Sequence, residues 1–191
     1  MSYVVDHYMD GLIKLRPKVY PDHRGFFFEL FQKEEYKKIP GMDFEFVQTN
    51  FAHSFAYVLR GLHFQIPPKA QGKLVTCTWG RLWDVVVDLR PDSQYFCTWK
   101  SFELNDMNHD LLYIPPGFAH GYYTFTESMM QYFCTEFYSP EHERGICYDD
   151  PVLNIPWIHR TVNVSEKDLD LPYLEDIRND LGNWWKRNAR V

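Results

Sequence analysis

Two histidines lie where a side chain could do acid–base or metal chemistry. His63 is part of the largely apolar run Tyr57 to Gln65, and His120 follows the turn-forming residues Pro115 to Gly117. Imidazole titrates close to neutral pH, so it can move protons or bind a transition metal. A lone histidine in a strand is more often structural, so the surrounding elements and motifs must decide its role.

The composition indicates a globular protein and argues against nucleic acid as a partner. Of the 191 residues, 45% are hydrophobic and 24% are charged, while aromatic residues reach 18%. The aromatic fraction is high and favours strands. The formal net charge of −6 and the lack of any run of Lys and Arg exclude the usual electrostatic footprint of a DNA- or RNA-binding protein. A few cations that converge in one pocket could still bind a small phosphorylated ligand.

The cysteines and the N-terminal residues predict a soluble, cytoplasmic protein with reduced thiols. Cys77, Cys97, Cys134 and Cys147 show no C-x-x-C spacing, so neither a zinc ribbon nor a disulfide framework is indicated. The first residues do not resemble a secretory signal, and the chain lacks a run of about 18 apolar residues that could span a membrane.

Short runs rich in aromatic and β-branched residues predict a succession of strands between Phe44 and Tyr138. Turn signals separate the runs: Gly80-Arg81 suits a tight hairpin, and Pro91-Asp92-Ser93 suits a longer one. The predicted strands are Tyr57 to Gln65, Lys73 to Trp79, Leu82 to Leu89, Tyr95 to Leu104, Leu111 to Ile114, Tyr122 to Phe125 and Met130 to Tyr138.

Helical signal is confined to two segments. One is Gln32 to Ile39, and the other covers residues 172–190, where apolar residues recur at helical spacing. Internal repeats and low-complexity tracts are absent from the sequence. We therefore predict a single all-β domain over residues 1–191, a double-sheet jelly-roll barrel with peripheral helices and with the C-terminal amphipathic helix packed outside.

The segment Pro115 to His120 resembles the second motif of the cupins, a group of jelly-roll proteins in which a glycine turn delivers a histidine into the barrel. The expected barrel is therefore cupin-like. The first cupin motif needs two histidines one residue apart and a glutamate, ligands that suit iron, manganese or zinc. The matching segment here is Gly61 to Gln65, with glutamine in place of the second histidine. We expect no metal and no other cofactor; a metal-dependent cupin oxygenase or isomerase is an alternative that metal analysis would test.

Five stretches together resemble the family of dTDP-4-dehydrorhamnose 3,5-epimerases, over about residues 10–175. They are Asp22 to Phe27, Val58 to Gln65, Gly72 to Val75, Tyr113 to Gly121 and Tyr138 to Ile146. Their joint occurrence is far more specific than any one of them. The resemblance implies an epimerase of deoxysugar biosynthesis, which removes a proton next to the ketone of a nucleotide-linked 4-keto-6-deoxy sugar and returns it on the opposite face.

The resemblance implies that His63 is the catalytic base, and imidazole titrates near the working pH. The family pairs this histidine with a downstream carboxylate, which would fix its tautomer and stabilise the imidazolium. Asp168 is the expected partner in this sequence, and Asp170 is its rival. The spacing of Ser165 and Asp168 is also typical of a helix N-cap, so this interpretation stays open.

Other matched residues complete the implied reaction. Lys73 matches a lysine beside the ketone oxygen, where a cation would stabilise the developing oxyanion, although a strand-edge lysine that faces water is the alternative. Tyr132 matches the general acid that returns a proton from the face opposite the histidine. Arg60 and His120 match residues that hold the diphosphate and the ketone side of the sugar. Strand alternation places Arg60 and His63 on opposite faces, so we expect either a bulge near Gly61 or a strand end between them.

Arg24 lies in an Asp-x-Arg-Gly motif, and the resemblance implies that it reaches the diphosphate across a subunit boundary. We therefore expect a homodimer with exchange of an N-terminal strand, and a nucleotide-diphospho-sugar as substrate. Single polar matches also indicate sugar or base contacts, although each would equally fit a solvated turn or strand residue. They are Glu29, Gln48, Asn50, Tyr138 and Glu143.

Three positions depart from the family's usual residues: Ala52 replaces a common serine, Tyr57 a common glycine and Thr76 a common arginine. The sugar or the nucleotide could therefore be non-standard, and a C3-only epimerase of a GDP-linked 4-keto deoxyheptose is one alternative. A ketoisomerase and a non-catalytic nucleotide-sugar binding protein are others. The binding protein is disfavoured, because binding alone needs no opposed acid and base.

Overall fold

The computed structural model describes residues 3–158 and 163–186. Its strands are β1 Tyr3–Tyr8, β2 Leu12–Pro17, β3 Tyr20–Asp22, β4 Gly25–Phe27, β5 Gln48–Ser54, β6 Leu59–Gln65, β7 Lys73–Trp79, β8 Arg81–Asp88, β9 Trp99–Asn105, β10 Leu111–Ile114, β11 Phe118–Thr124, β12 Ser128–Cys134 and β13 Glu143–Gly145. Its helices are α1 Lys33–Tyr36, α2 Glu166–Leu169 and α3 Leu174–Lys186. Within these ranges the structure has no helix that is long and apolar enough to cross a bilayer.

Two antiparallel sheets form the barrel. One has six strands in the order β1-β2-β10-β7-β12-β5, and the other has five in the order β13-β6-β11-β8-β9. Apolar side chains from both sheets pack between them, among them Val75, Val86, Ile114 and Met130, each at most 2% exposed. This arrangement is the predicted cupin-like jelly roll, so the all-β fold class is confirmed.

The five-stranded sheet also buries its outer face, against the C-terminal helix. Helix α3 packs Leu174, Ile177 and Leu181 onto that face, and all three are buried. Its opposite side is exposed, as expected for an amphipathic helix. The helix predicted over residues 172–190 is thus present, although residues 187–190 lie outside the described part of the chain.

Strands β1, β2 and β5 complete the six-stranded sheet but were not predicted from the sequence. A tight turn joins β1 to β2, with positive φ angles at Met9 and Asp10. Strand β5 is the edge of its sheet, and its residues alternate between half-buried and exposed until Ser54. A strand of this kind is mainly polar, so it lacks the apolar run that marks a strand in a sequence.

Several boundaries also differ from the sequence pattern. Strand β9 begins at Trp99 rather than Tyr95, because the preceding residues form a turn in which Cys97 has a φ of +61°. Strand β11 begins at Phe118, directly after the turn at Gly117, and it is buried throughout because its sheet is covered on both faces.

The hairpin of β3 and β4 forms a separate two-stranded sheet. In the described part of the chain these strands pair only with each other, and all of their residues are exposed. Tyr20, Phe26 and Phe27 are between 51% and 68% exposed. Such a group of large apolar side chains on a monomer surface is typical of a surface that another molecule covers.

Candidate active site

A β-bulge in β6 turns Arg60 and His63 toward the same cavity. In the ladder of β6 with β11, His63 pairs with His120 and Arg60 pairs with Tyr122, so two residues of β6 face one residue of β11. Gly61 has a φ of +113° at this point, and a Cβ atom on it would lie 2.6 Å from the backbone of β11. Only glycine fits such a position. The bulge expected near Gly61 is present, and its cause is this close approach of two backbones.

The ring of His63 forms a hydrogen bond with the carboxylate of Asp168. The distance from Nε2 of His63 to Oδ1 of Asp168 is 2.8 Å, and Oδ2 of Asp168 accepts the N–H of Gly61 at 3.1 Å. Asp168 is 3% exposed and lies in α2, where Ser165 is the N-cap and accepts the N–H of Asp168. The segment therefore forms the helix cap and also supplies the carboxylate. Asp170 lies exposed at the end of α2.

The hydrogen bonds of Asp168 keep its carboxylate ionised. Burial opposes ionisation, but the contact with His63 and the N–H of Gly61 outweigh it, and the pKa of Asp168 lies below its ordinary value. An ionised carboxylate can only accept hydrogen bonds, so the neutral ring of His63 carries its proton on Nε2. The nitrogen Nδ1 then keeps a free lone pair that can take up a proton.

Lys73 and Tyr132 line the cavity from the six-stranded sheet. Lys73 begins β7 and Tyr132 lies in β12, and the distance from Nζ of Lys73 to the centre of the Tyr132 ring is 6.0 Å. Burial lowers the pKa of Lys73, and the negative charges of surrounding groups offset part of this effect. Burial also raises the pKa of Tyr132. The phenol therefore keeps its proton at neutral pH, and a charge on Lys73 acts in a poorly hydrated space.

These side chains surround an inner cavity of about 300 Å³ between the two sheets. An outer cavity of about 310 Å³ adjoins it, and His63, Lys73 and Tyr132 line both. The combined space is large enough for a ligand of several rings. Of the residues predicted from the sequence, the inner cavity brings together Arg60, His63, Lys73, His120, Tyr132 and Asp168. The outer cavity adds Gln48, Asn50, Tyr138 and Glu143.

Hydrogen bonds order the residues of the outer cavity. The side chain of Gln48 donates to Asn50 and accepts the N–H of Tyr138, at 3.0 Å in both cases. The hydroxyl of Tyr138 donates to Glu143 at 2.9 Å, and its ring is exposed. Glu143 is half-buried, yet hydrogen bonds from Lys167 and Tyr138 outweigh the cost of burial and hold its pKa below the ordinary value.

Among the residues that were missed in the sequence, two contact predicted site residues directly. Asp84 is fully buried in β8, and its Oδ2 lies 2.7 Å from Nε2 of His120. Its Oδ1 has no hydrogen-bond partner in the described part of the chain. An acid in the middle of an apolar strand is the signal that could have found it, because buried acids are rare without a partner. Lys167 is the second. It lines the inner cavity, and its Nζ donates to the carboxylate of Glu143 at 2.6 Å. Its only signal in the sequence is that it directly precedes Asp168.

Arg24 and Glu29 are not brought to this site within one chain. Arg24 lies in the β3–β4 hairpin, its side chain is 77% exposed, and its guanidinium binds the carboxylate of Asp22 at 2.7 Å. Glu29 lines a different cavity, together with Lys18, Tyr20 and Phe27. Neither residue lines the inner or the outer cavity.

The three departures from the family pattern lie in different environments. Ala52 lines the inner cavity. Tyr57 has a φ of +65°, a conformation that favours glycine. Thr76 is buried and donates to the carbonyl of Asp110, and its neighbours Leu74 and Tyr113 belong to the core cluster that covers the outer face of its sheet. Thr76 does not line either of the two cavities.

Histidine, cysteine and acidic side chains do not cluster as a metal site in the described residues. At the position of the second cupin histidine, Gln65 donates to two backbone carbonyls, of Lys69 and Phe137, and accepts the N–H of Ser139. Its amide therefore ties neighbouring loops to β6. The ring nitrogen Nε2 of His63 and that of His120 already bind carboxylates.

Comparison with known proteins places this chain in the class of cupin-like carbohydrate epimerases. A dTDP-4-dehydrorhamnose 3,5-epimerase of Shigella flexneri is 42% identical over 171 residues, which cover 89% of this chain and 94% of the relative. A crystal structure of the 3,5-epimerase of Legionella pneumophila, in complex with dTDP-4-keto-L-rhamnose, is 40% identical with a TM-score of 0.89 and covers 94% of this chain and 96% of its own.

A third relative has a narrower activity. The 3′-monoepimerase of Streptomyces bikiniensis, solved in complex with dTDP-quinovose, is 28% identical with a TM-score of 0.88 and covers 96% of both chains. The model of the dTDP-4-dehydrorhamnose 3,5-epimerase family matches residues 6–176. The chain belongs to this family, and it is an isomerase that acts on a carbohydrate.

The contact between Asp168 and His63 generates a prediction about stability. The pKa of Asp168 is lowered by folding. The ionised carboxylate therefore contributes fully to the free energy of unfolding above the unfolded pKa of about 3.9, and this contribution is lost as the pH falls through the lower folded pKa. We expect Asp168→Asn to reduce the free energy of unfolding at pH 7 by about 1–3 kcal/mol. The difference in free energy of unfolding between the variant and the unsubstituted protein should become smaller below about pH 4.

Urea unfolding between pH 3 and pH 8 measures this difference. The matched control is Asp170→Asn, two residues further on, which is exposed and should change the free energy of unfolding by less than about 0.5 kcal/mol. A difference that stays constant down to pH 3, or an equal effect of both substitutions, would contradict the assigned contact.

Proposed function

We propose that this protein epimerises a dTDP-linked 4-keto-6-deoxy sugar at C3 and C5, as a step in dTDP-rhamnose biosynthesis. The observation that carries the proposal is that His63 and Tyr132 reach one cavity from opposite sheets, His63 from β6 and Tyr132 from β12. Inversion requires that a proton leave one face of a carbon and that another arrive on the opposite face. A base and an acid on facing walls meet that requirement.

Lys73 is proposed to stabilise the enolate. A neutral histidine is a weaker base than an enolate by roughly a dozen pKa units, and each unit corresponds to about 1.36 kcal/mol. One ordinary hydrogen bond contributes only about 1 kcal/mol, so the oxyanion needs a stronger partner. The cation of Lys73 lies in the same cavity as His63, and its half-buried position makes its field stronger than in water.

Asp168 is proposed to hold His63 in the reactive tautomer and to stabilise the imidazolium that forms. Support comes from the 2.8 Å contact and the lowered pKa of the carboxyl. His120 is proposed to hold the ketone side of the sugar, with Asp84 fixing its ring. Arg60 is proposed to bind the diphosphate; its guanidinium is anchored by Ser54 at 3.0 Å.

The outer cavity is proposed to take the nucleotide. The side-chain amides of Gln48 and Asn50 can pair with the polar edge of a base, and the exposed ring of Tyr138 can stack on its face. Glu143 orders the hydroxyl of Tyr138. The complex of the Legionella relative with dTDP-4-keto-L-rhamnose supports dTDP as the nucleotide.

A homodimer is proposed in which the hairpin of β3 and β4 exchanges between subunits and delivers Arg24 and Glu29 to the partner's diphosphate and sugar. The proposal is supported by the isolation of the hairpin from both sheets and by its exposed aromatic residues. It is also supported by the position of Arg24 outside the two cavities of its own chain.

A C3-only epimerase is the second candidate, because the Streptomyces monoepimerase has the same fold. Proton NMR in heavy water, with dTDP-linked and GDP-linked 4-keto-6-deoxy sugars, separates the candidates. We expect the C3 and C5 signals of the dTDP sugar to disappear. Loss of the C3 proton signal alone would establish the single-site enzyme. Binding of the sugar without any hydrogen exchange would indicate a binding protein.

The role of His63 predicts that His63→Asn abolishes hydrogen exchange at every carbon. The loss should be about 10²- to 10⁴-fold, because general-base catalysis contributes that much. Binding of dTDP-glucose, measured by calorimetry, should stay within about tenfold, because the ring acts mainly in the transition state. His7→Asn, an exposed position on β1, is the control. Unimpaired exchange in the His63 variant would refute the role.

The role of Tyr132 predicts that Tyr132→Phe separates exchange from inversion. Inversion should fall by about 10²- to 10⁴-fold, whereas exchange should fall by less than about tenfold, because the base can remove and return a proton without the phenol. Product analysis alongside the NMR assay measures both rates. Tyr173→Phe, exposed and outside the cavities, is the control. An equal loss of both rates would move Tyr132 to a positioning role.

Exchange of the hairpin predicts complementation between two inactive variants. In a mixed dimer of Arg24→Ala and His63→Asn chains, one site would combine His63 of one subunit with Arg24 of the other. We expect co-refolded mixtures to regain about a quarter of the unsubstituted activity, because half of the dimers are mixed and each has one intact site. If Arg24 served its own chain, no mixed dimer would contain an intact site and activity would not return.

A further inference from the structure

An ion pair between Lys167 and Glu143 crosses the junction of the inner and outer cavities. Lys167 lines the inner cavity and Glu143 lines the outer one, and the distance from Nζ of Lys167 to Oε2 of Glu143 is 2.6 Å. Lys167 lies in α2, whereas Glu143 begins β13, which pairs with β6. The pair therefore lies where a ligand that fills both cavities would pass from one to the other.

Glu143 brings a negative charge to this junction. Burial raises its pKa, but hydrogen bonds from Lys167 and Tyr138 outweigh this effect and hold the pKa below the ordinary value, so the carboxylate is ionised at neutral pH. Its side chain is only 19% exposed, so water screens the charge poorly. An anionic ligand at the junction would be repelled by this carboxylate unless a cation lay beside it.

Lys167 has the charge and the donors to be that cation. An ammonium group has three N–H donors, and Glu143 is the only group to which Lys167 donates in the described part of the chain. The side chain of Lys167 is 61% exposed, so a ligand can reach its ammonium group. Arg60, the cation already assigned to the diphosphate, lines the inner cavity but not the outer one.

We propose that Lys167 binds the diphosphate of the substrate and at the same time neutralises Glu143. With the sugar in the inner cavity and the nucleotide in the outer one, the diphosphate that joins them lies at the junction. The inference rests on the proposed function, because it requires that the substrate occupy both cavities in this order. Lys167 is a substrate-binding residue in this scheme and takes no part in proton transfer.

Binding of dTDP-glucose, which lacks the ketone and does not react, tests the role of Lys167 by calorimetry. Lys167→Met keeps an unbranched side chain but removes the charge and the donors. We expect it to weaken binding by about tenfold at low ionic strength, the order of one hydrogen bond between charged groups. The difference should fall below about threefold in about 1 M NaCl, because salt screens the attraction. Lys167→Arg keeps the charge and should bind within about threefold of the unsubstituted protein.

Glu143→Gln separates diphosphate binding from a purely structural role of the ion pair. Glutamine can still accept from the hydroxyl of Tyr138, but the negative charge is gone. If Lys167 binds the diphosphate, this variant should bind dTDP-glucose as tightly as the unsubstituted protein or up to about fivefold more tightly. If the ion pair only fastened α2 to β13, Glu143→Gln and Lys167→Met would weaken binding to a similar extent, and the inference would be wrong.

Lys69→Met is the matched control. Lys69 forms an ion pair with Glu136 at 3.4 Å, and neither residue lines the inner or the outer cavity, so this substitution should change the affinity by less than about twofold. Unchanged affinity of Lys167→Met, or an equal loss in Lys69→Met, would overturn the inference. If the unsubstituted protein exchanges the protons of the keto sugar in that case, the proposed function stands and only the role of Lys167 fails. If it neither binds dTDP-glucose nor exchanges protons, both fail.

Discussion

The carboxylate of Asp168 joins two segments of the chain that are far apart in the sequence, α2 and β6. One oxygen binds the ring of His63, the other accepts the N–H of Gly61, and the backbone N–H of the same residue is capped by Ser165. The orientation of the ring and the N–H of Gly61 at the bulge are therefore held by one side chain, and Ser165 caps the helix that carries it. Arg60 also reaches the cavity only because the bulge changes the alternation of β6. A structural role and a chemical role coincide in this residue, because a carboxylate that is nearly excluded from water must satisfy both oxygens.

The central strands of the barrel were predictable because burial makes their sequences apolar. Strand β8 is the clearest case, since it packs against the core on one face and against α3 on the other. The α3 helix was predictable for a related reason: Leu174, Ile177 and Leu181 repeat with the helical period. Strand β5 was not predictable, because an edge strand with one exposed face does not need apolar residues. The β1–β2 turn has positive φ at Met9 and Asp10, which residue type alone does not reveal.

Local sequence could suggest the chemistry of the site but not its assembly. The motif around His63 and the resemblance of the segment that ends in Asp168 were sufficient to propose that the two residues pair. Only the fold shows that their side chains lie 2.8 Å apart. Asp84 was missed, because an acid in the middle of an apolar strand does not indicate which histidine lies beside it. The position of Arg24 was beyond sequence reasoning for another reason: in the described residues its hairpin pairs only with itself, so a local pattern predicts the hairpin but not where it lies.

Because β6 and β11 approach each other closely at Gly61, the wall of the cavity that they form tolerates few substitutions. The wall formed by β5 and β12 can vary more. A Cβ atom at Gly61 would collide with the backbone of β11, and one at Gly121 would lie 2.7 Å from the carbonyl of Arg60. Any side chain at either glycine would displace the strand that carries the base. Ala52 and Met130 lie on the opposite sheet and are not part of this contact. Natural divergence and protein engineering should therefore alter the substrate range through β5 and β12, while the strands that hold the histidines keep their sequence.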